Sequence, residues 1–320
     1  AGFAGGMQPA APSALSSWPL LALRLPDNPL SPAEVADLAS LYLPPAEVEG
    51  VQRFVHHDDR VRALASRLLQ RALAARVLGL DFRSVHMRRT REGKPYAVVP
   101  PLSRPHAAAF NVNVSHHSEL VVAAWHGRCL VGVDVVDVTT RSRVFTTVES
   151  YVDCFSSQLT ARERETIFAC PSEPSRYAHF FVYWALKEAF IKAVGQGLGY
   201  DLATVDLAVR FAPPSPADPL WAPGGQLRGG ADLTLAGQRR PDWRLAFFSP
   251  DGRHVVAVAT GPLADATPSF AAALEDGAAA AEARGAGEQQ CPVDALLAAA
   301  AAEGLAAEEA LRPSELPQLP

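Results

Sequence analysis

The chain has 320 residues, enough for two domains of ordinary size. Hydrophobic residues make up 48% and charged residues 20%, which fits a soluble globular protein with a sizeable core. The net charge of -5 excludes the broad basic field of a general nucleic-acid binder, but leaves room for a local basic pocket that takes a phosphorylated small molecule.

Residues 1–16 are small, polar and proline-containing, and are expected to be disordered. Trp18–Leu25 (WPLLALRL) reads as the opening strand. Ser31-Pro32 is an N-cap followed by a first-turn proline, predicting a helix to about Tyr42 that Pro44-Pro45 stops. Asp58–Leu78 is a long helix: Val61, Leu64, Ala65, Leu68, Leu69, Ala72 and Leu73 share a face, and Gly79 is its C-cap. The arginines on its other face (Arg60, Arg62, Arg67, Arg71, Arg76) are expected to be mostly solvated. Val85–Arg89 reads as a strand and leads into the basic turn RTREGKP, Arg89–Pro95, whose backbone amides and cationic heads suit an anion. Phe110–Val114 and Leu120–Trp125 read as strands, with Ser115-His116-His117-Ser118 as the turn between them. Leu130–Val138 is a buried strand interrupted by Asp134.

Thr160–Glu163 is a capping box opening a helix over 161–169. Pro171–Pro174 breaks it, and a central helix starts near Ser175 or Arg176. On that helix Tyr183, Leu186, Phe190 and Ala193 form a core-facing stripe, and Trp184, Glu188 and Lys192 share the adjacent face. The helix ends near Gly195. Val205–Phe211 is a strand, and Ala212–Ala231, rich in proline and glycine, is an insertion loop. Asp232–Leu235, Asp242–Ser249 and His254–Ala259, with the two-residue hairpin signal Asp251-Gly252, complete an antiparallel meander beside the central helix. Beyond about Gly261 the composition turns to alanine, glutamate and glycine, which reads as a largely disordered tail with one weak helix around Val293–Leu311.

Cys129, Cys154, Cys170 and Cys291 form no CxxC pair and read as reduced thiols. No apolar run approaches a membrane span, and the first residues carry neither a secretory nor a transit signature, so the expected location is cytoplasmic. His116-His117 has no second histidine or cysteine cluster at a matching spacing, which argues against zinc. An aspartate among β-branched residues is costly to bury unless paired or bound to a cation, which singles out Asp134, while Asp137 reads as a strand-end cap. Glu188 and Lys192, taken alone, are an ordinary i, i+4 pair.

The ordered set FNVNVSHH, VGVDV and WALKEAFIKAVGQGL, after a basic turn, resembles the 4′-phosphopantetheinyl transferases of the surfactin-synthetase type, and within them the eukaryotic enzymes of broad carrier specificity. The likeness covers roughly residues 15–262. It implies an α+β pseudodimer of two similar halves, each an antiparallel sheet packed with a long helix. The halves would span 17–138 and 139–262, the latter with the 212–231 loop, between the disordered 1–16 and the 263–320 tail. It implies transfer of 4′-phosphopantetheine from coenzyme A to a carrier-protein serine, with release of adenosine 3′,5′-bisphosphate. Asp134 and Glu188 match the family's Mg²⁺ ligands, and Lys192 matches the lysine that contacts the CoA phosphates. Glu188 and Lys192 are the implied catalytic pair. Asn113, Val114, Ser115 and His116 match the strand that meets CoA, with His116 on the 3′-phosphate. Arg62 matches a second 3′-phosphate contact. Arg89, Thr90, Arg91, Glu92, Gly93 and Lys94 match the basic CoA turn. An arginine of the eukaryotic enzymes falls at Gly50 here, with Arg53 nearby, and an acid found in bacterial relatives is replaced by Val136. The implied partners are acyl or peptidyl carrier domains of fatty-acid synthase, polyketide synthase or aminoadipate reductase, with no nucleic acid and no membrane, and the implied state is a monomer. The alternative is a non-catalytic CoA- or carrier-binding protein on the same fold.

Overall fold

The computed structural model describes residues 20–26, 30–98, 109–139, 145, 147–211 and 227–279. The expectations for 1–16, for most of the insertion loop and for a helix at 293–311 lie outside the described residues.

The first half runs β1 (Leu20–Arg24), α1 (Pro32–Tyr42), α2 (Pro45–Gln52), α3 (His57–Leu78), β2 (His86–Arg89), β3 (Pro95–Val98), β4 (Asn111–His117) and β5 (Leu120–His126). Ser31 and Glu34 make the capping box that opens α1. The helix α2 was not expected. Pro44-Pro45 reads as a stop, yet Pro45 takes the first helical position, where its missing N–H costs nothing. Strands β1, β5 and β4 form an antiparallel sheet, and α3 packs on it through Leu64, Leu68 and Leu69 against Val112, Val121 and Ala123. The arginines of α3 are less solvated than their spacing suggests. Arg71 is buried, bonded to Glu47 at 2.5 Å and to the Val85 carbonyl, because α2 brings Glu47 over that face.

The second half runs β6 (Leu130–Asp137), α4 (Val148–Cys154), α5 (Ala161–Phe168), α6 (Glu173–Val194), β7 (Val205–Phe211), β8 (Arg228–Leu235), β9 (Gln238–Arg239), β10 (Arg244–Phe248), β11 (His254–Gly261) and α7 (Pro268–Ala279). Its sheet is ordered β6-β11-β10-β8-β7, all antiparallel, with β9 on β8. Each half is therefore an antiparallel sheet with one 22-residue helix on it, α3 or α6. The helix α6 starts earlier than expected because Ser172 caps it and Pro174 fits its first turn. The strand β8 begins at Arg228, inside the stretch read as loop. The β10–β11 connection is wider than two residues, with Gly252 at φ 72. Residues 263–279, read as tail, instead carry α7. Phe270 of this helix is fully buried in the core of the second half, with Ala273 buried beside it.

The junction differs most from expectation. Strand β6, assigned to the first half by the 138/139 boundary, pairs along its whole length with β11 of the second. Its other edge meets side chains of β4. Val131 N–H donates to Asn111 Oδ1 at 2.9 Å, Val133 N–H to Asn113 Oδ1 at 2.8 Å, and Val135 N–H to Ser115 Oγ at 3.4 Å. Three side chains at period two thus replace a backbone ladder and join the halves. Leu120, Val122 and Ala124 pack there against Val131, Val133, Val135, Val256 and Val258. Asn113→Ala leaves the Val133 N–H buried and unpaired, and is expected to cost about 1–3 kcal/mol in denaturant unfolding. A loss below a few tenths would mean that the ladder bond is dispensable.

Candidate active site

The close crossing of α6 over β6 builds the site. A Cβ on Gly132 would lie 2.0 Å from the Ala189 carbonyl oxygen, so only glycine admits this approach. Tyr183, Leu186, Phe190 and Ala193 are buried as the apolar stripe requires, and Gly195 caps the helix at φ 86. Trp184, Glu188 and Lys192 then line a cleft of about 700 Å³ at the junction.

The cleft has a polar and an apolar side. On the polar side stand Ser115, His116 and His117 from β4, Asp134 from β6, and Glu188 and Lys192 from α6. These histidines lie on the strand, not in a turn; the turn is Ser118-Glu119, with Ser118 at φ 51. Lys192 Nζ donates to Asp134 Oδ1 at 2.6 Å and to Ser115 Oγ at 2.9 Å, and Ser115 Oγ donates to the same Asp134 oxygen at 2.8 Å. Burial raises the Glu188 pKa above its ordinary value; the neighbouring Asp134 raises it further, and Lys192 partly offsets both. Asp134 and Glu188 line one cleft as two hard-oxygen donors, which fits a divalent cation such as Mg²⁺. His116 is held below the usual histidine pKa, first by partial desolvation and then by the positive charges of Arg62 and Lys192. Arg62 sits behind it, bonded to the Ser118 carbonyl at 3.1 Å and to Asp59 at 2.7 Å.

The apolar side is built by Tyr151 in the middle of α4 and Phe155 just beyond its end, and by Phe180, Phe181 and Trp184 of α6. Phe155 and Trp184 meet edge to face at 4.9 Å. Of these only Trp184 was singled out from the sequence. The i, i+4 pairs Tyr151/Phe155 and Phe180/Trp184 were the readable signal.

Several expected site residues lie elsewhere. Val114 lines the cleft, but Asn113 is buried with its side-chain oxygen in the ladder to Val133. None of Arg89, Thr90, Arg91, Glu92, Gly93 or Lys94 lines it. The turn is compact: Thr90 N–H donates to the Lys94 carbonyl at 2.9 Å, Arg89 reaches the Gly93 carbonyl at 2.9 Å, and Gly93 has φ 92. Glu92 is bonded to Ser269 of α7, and Arg91 is exposed. Lys94 is buried, its ammonium donating to the carbonyls of Val131 and Lys192 and lying 4.6 Å from the Phe270 ring centre. Burial and then Lys192 push its pKa down to about 7. Gly50 is not filled by Arg53; Arg67 of α3 covers it, with a guanidinium nitrogen 2.9 Å from where a Cβ would stand.

A second acidic group, Glu119, Asp251 and His254, brings its ligand atoms within 4.8 Å of one another. Arg24 and Arg253 already occupy its carboxylates, so it is an ionic stitch between the halves. Asp137 belongs to the same stitch. Burial alone would raise its pKa, but bonds from Arg253, Thr139 and Ser118 hold it well below the carboxylate range. Among the described residues no helix is long and apolar enough to cross a membrane.

Fold and cleft together define a two-half α+β protein whose junction presents two acids and a lysine beside an aromatic wall. Residues 31–127 match the family described as 4′-phosphopantetheinyl transferase, N-terminal, and residues 130–226 match the 4′-phosphopantetheinyl transferase superfamily. The L-aminoadipate-semialdehyde dehydrogenase-phosphopantetheinyl transferase of Rattus norvegicus is 33% identical over 72% of this chain and 70% of its own length. That of Homo sapiens is 31% identical over 69% and 68%, and a phosphopantetheinyl transferase of Thraustochytrium sp. is 30% identical over 70% and 73%. The chain belongs to the 4′-phosphopantetheinyl transferase family, and the two family matches meet at 127–130, where the structure places the junction.

Proposed function

We propose that this chain moves 4′-phosphopantetheine from coenzyme A to a serine hydroxyl of an acyl or peptidyl carrier protein, with Mg²⁺ as cofactor, releasing adenosine 3′,5′-bisphosphate. The observation that carries the reading is the convergence of Ser115, Asp134, Glu188 and Lys192, from three elements of both halves, in one cleft. Asp134 and Glu188 are the residues to hold Mg²⁺, which when bound would neutralise charge on the pyrophosphate. Lys192 donates to phosphate oxygens as negative charge grows on the departing group. Ser115 and His116, backed by Arg62, meet the 3′-phosphate, and the exposed Arg89 and Arg91 extend the positive field on the turn. We assign Lys94 to tying that turn against α6. Glu188, which faces the same cleft, takes the proton of the carrier serine. The serine oxygen forms its bond to the phosphorus of the phosphopantetheine arm as the pyrophosphate bridge breaks. The names of the relatives point to aminoadipate-reductase carriers as one target, with fatty-acid and polyketide synthase carriers as others. The protein would act as a monomer, because its own two halves already enclose the cleft, and the cytosol is the proposed location.

The test is intact-mass spectrometry of an apo carrier protein incubated with the chain, CoA and Mg²⁺. The expected result is a Mg²⁺-dependent gain of one phosphopantetheine group. No gain with three unrelated carriers and a folded enzyme would overturn transfer and leave a binding-only protein.

A further inference from the structure

We infer that Lys192 competes with a divalent cation for Asp134, so that cation and phosphorylated ligand load the cleft together and neither loads well alone. The inference rests on the function proposed above and adds how the two ligands depend on each other in filling the site. Asp134 Oδ1 already accepts two hydrogen bonds, from the Lys192 ammonium at 2.6 Å and from Ser115 at 2.8 Å. This is the carboxylate a cation must use together with Glu188. A cation entering while Lys192 stays would stand beside a full positive charge in a half-buried cleft, where screening is weak.

The lysine is built to leave. Its side chain is 27% exposed, and its amino group sits on a flexible four-carbon stem in the last turn of α6. Its backbone is fixed, because the Lys192 carbonyl accepts from buried Lys94. The head group can therefore swing from Asp134 to a phosphate without moving the helix. A phosphate that takes the ammonium frees Asp134 for the cation, and a cation on Asp134 releases the ammonium for the phosphate. By thermodynamic linkage each ligand tightens the other by the same factor.

Mn²⁺ is the probe, with free Mn²⁺ read by electron paramagnetic resonance on the full chain, with and without CoA and with the Mn²⁺ bound by free CoA subtracted. In the native chain, CoA is expected to tighten Mn²⁺ binding tenfold or more. Direct ligation by the CoA phosphates also contributes to that number, so the deciding comparison is made without CoA. There, Lys192→Met is expected to bind Mn²⁺ at least tenfold more tightly than the native chain, and Lys192→Gln serves if the methionine variant does not fold. Equal Mn²⁺ affinity of the native chain and a folded variant overturns the inference, even where CoA still binds and transfer still proceeds. Failure of the native chain to bind CoA at any Mn²⁺ concentration overturns the parent reading instead.

Discussion

Glu188→Gln is expected to lower phosphopantetheine transfer about 10²-fold or more, while leaving the protein at least as stable as the native chain at neutral pH. The two effects share one cause. Burial, and then the nearby Asp134, raise the Glu188 pKa. A carboxyl with a raised native pKa supports the fold fully below its unfolded pKa, and that support is lost as pH rises through the native value. At neutral pH its charge is therefore a liability to folding, held in place because the proposed chemistry needs it. Glutamine keeps the shape and removes the charge, so it can neither neutralise a cation nor accept a proton. The thermal midpoint of the variant should equal or exceed that of the native chain at pH 7, with the difference narrowing toward the ordinary glutamate value of 4.5. Transfer is read by the mass assay and stability by thermal unfolding. An unchanged transfer rate would remove Glu188 from the chemistry. A large fall in stability would make its role structural.

Much of this site was legible from local pattern. The spacing of Trp184, Glu188 and Lys192 puts them on one helical face, and the structure lines one cleft with all three. An acid inside a β-branched strand has to be compensated, and Asp134 is, by Lys192 and Ser115. What was not legible depends on partners far away in the chain. Nothing local says that β6 pairs with β11, more than a hundred residues on, or that Asn111 and Asn113 spend their side chains on the β6 edge. Lys94 looks like any lysine in a glycine turn. Its burial follows from α7, which alanine-rich composition hides except at Phe270. The short helices α2 and α4 were missed because first-turn prolines and a single helical turn or two give little periodicity. The two aromatics of α4 and its end, Tyr151 and Phe155, were therefore not placed beside Trp184.

Glu163→Ala is expected to cost about 3–5 kcal/mol, roughly a fifth or more of the stability of an ordinary domain. The sequence shows Glu163 as the far end of a capping box with Thr160, and it is one. It is also wholly buried against Lys187 of α6 at 2.7 Å. Every polar group of the pair is used. Lys187 donates to Glu163 and to the carbonyls of Gln158 and Leu202 at 2.8 and 2.9 Å, while Glu163 accepts from the backbone of Thr160 and Leu207, each at 2.9 Å. The pair thus pins α5, the start of β7 and the segment after α4 to the same helix that carries Glu188 and Lys192. Desolvation dominates both partners, pushing the glutamate pKa up and the lysine pKa down. Removing the glutamate strands an ammonium in the core, which is where the cost arises. Lys187→Met alone strands the carboxylate and should cost a similar amount. The double variant Glu163→Ala with Lys187→Met strands neither charge and is expected to recover at least half of the summed single losses, measured by denaturant unfolding as a double-mutant cycle. Additive losses would show that the two residues act separately. Recovery would show that the pair matters for the charge each partner would otherwise leave buried, and that an uncharged pair can hold much of the cleft's scaffold.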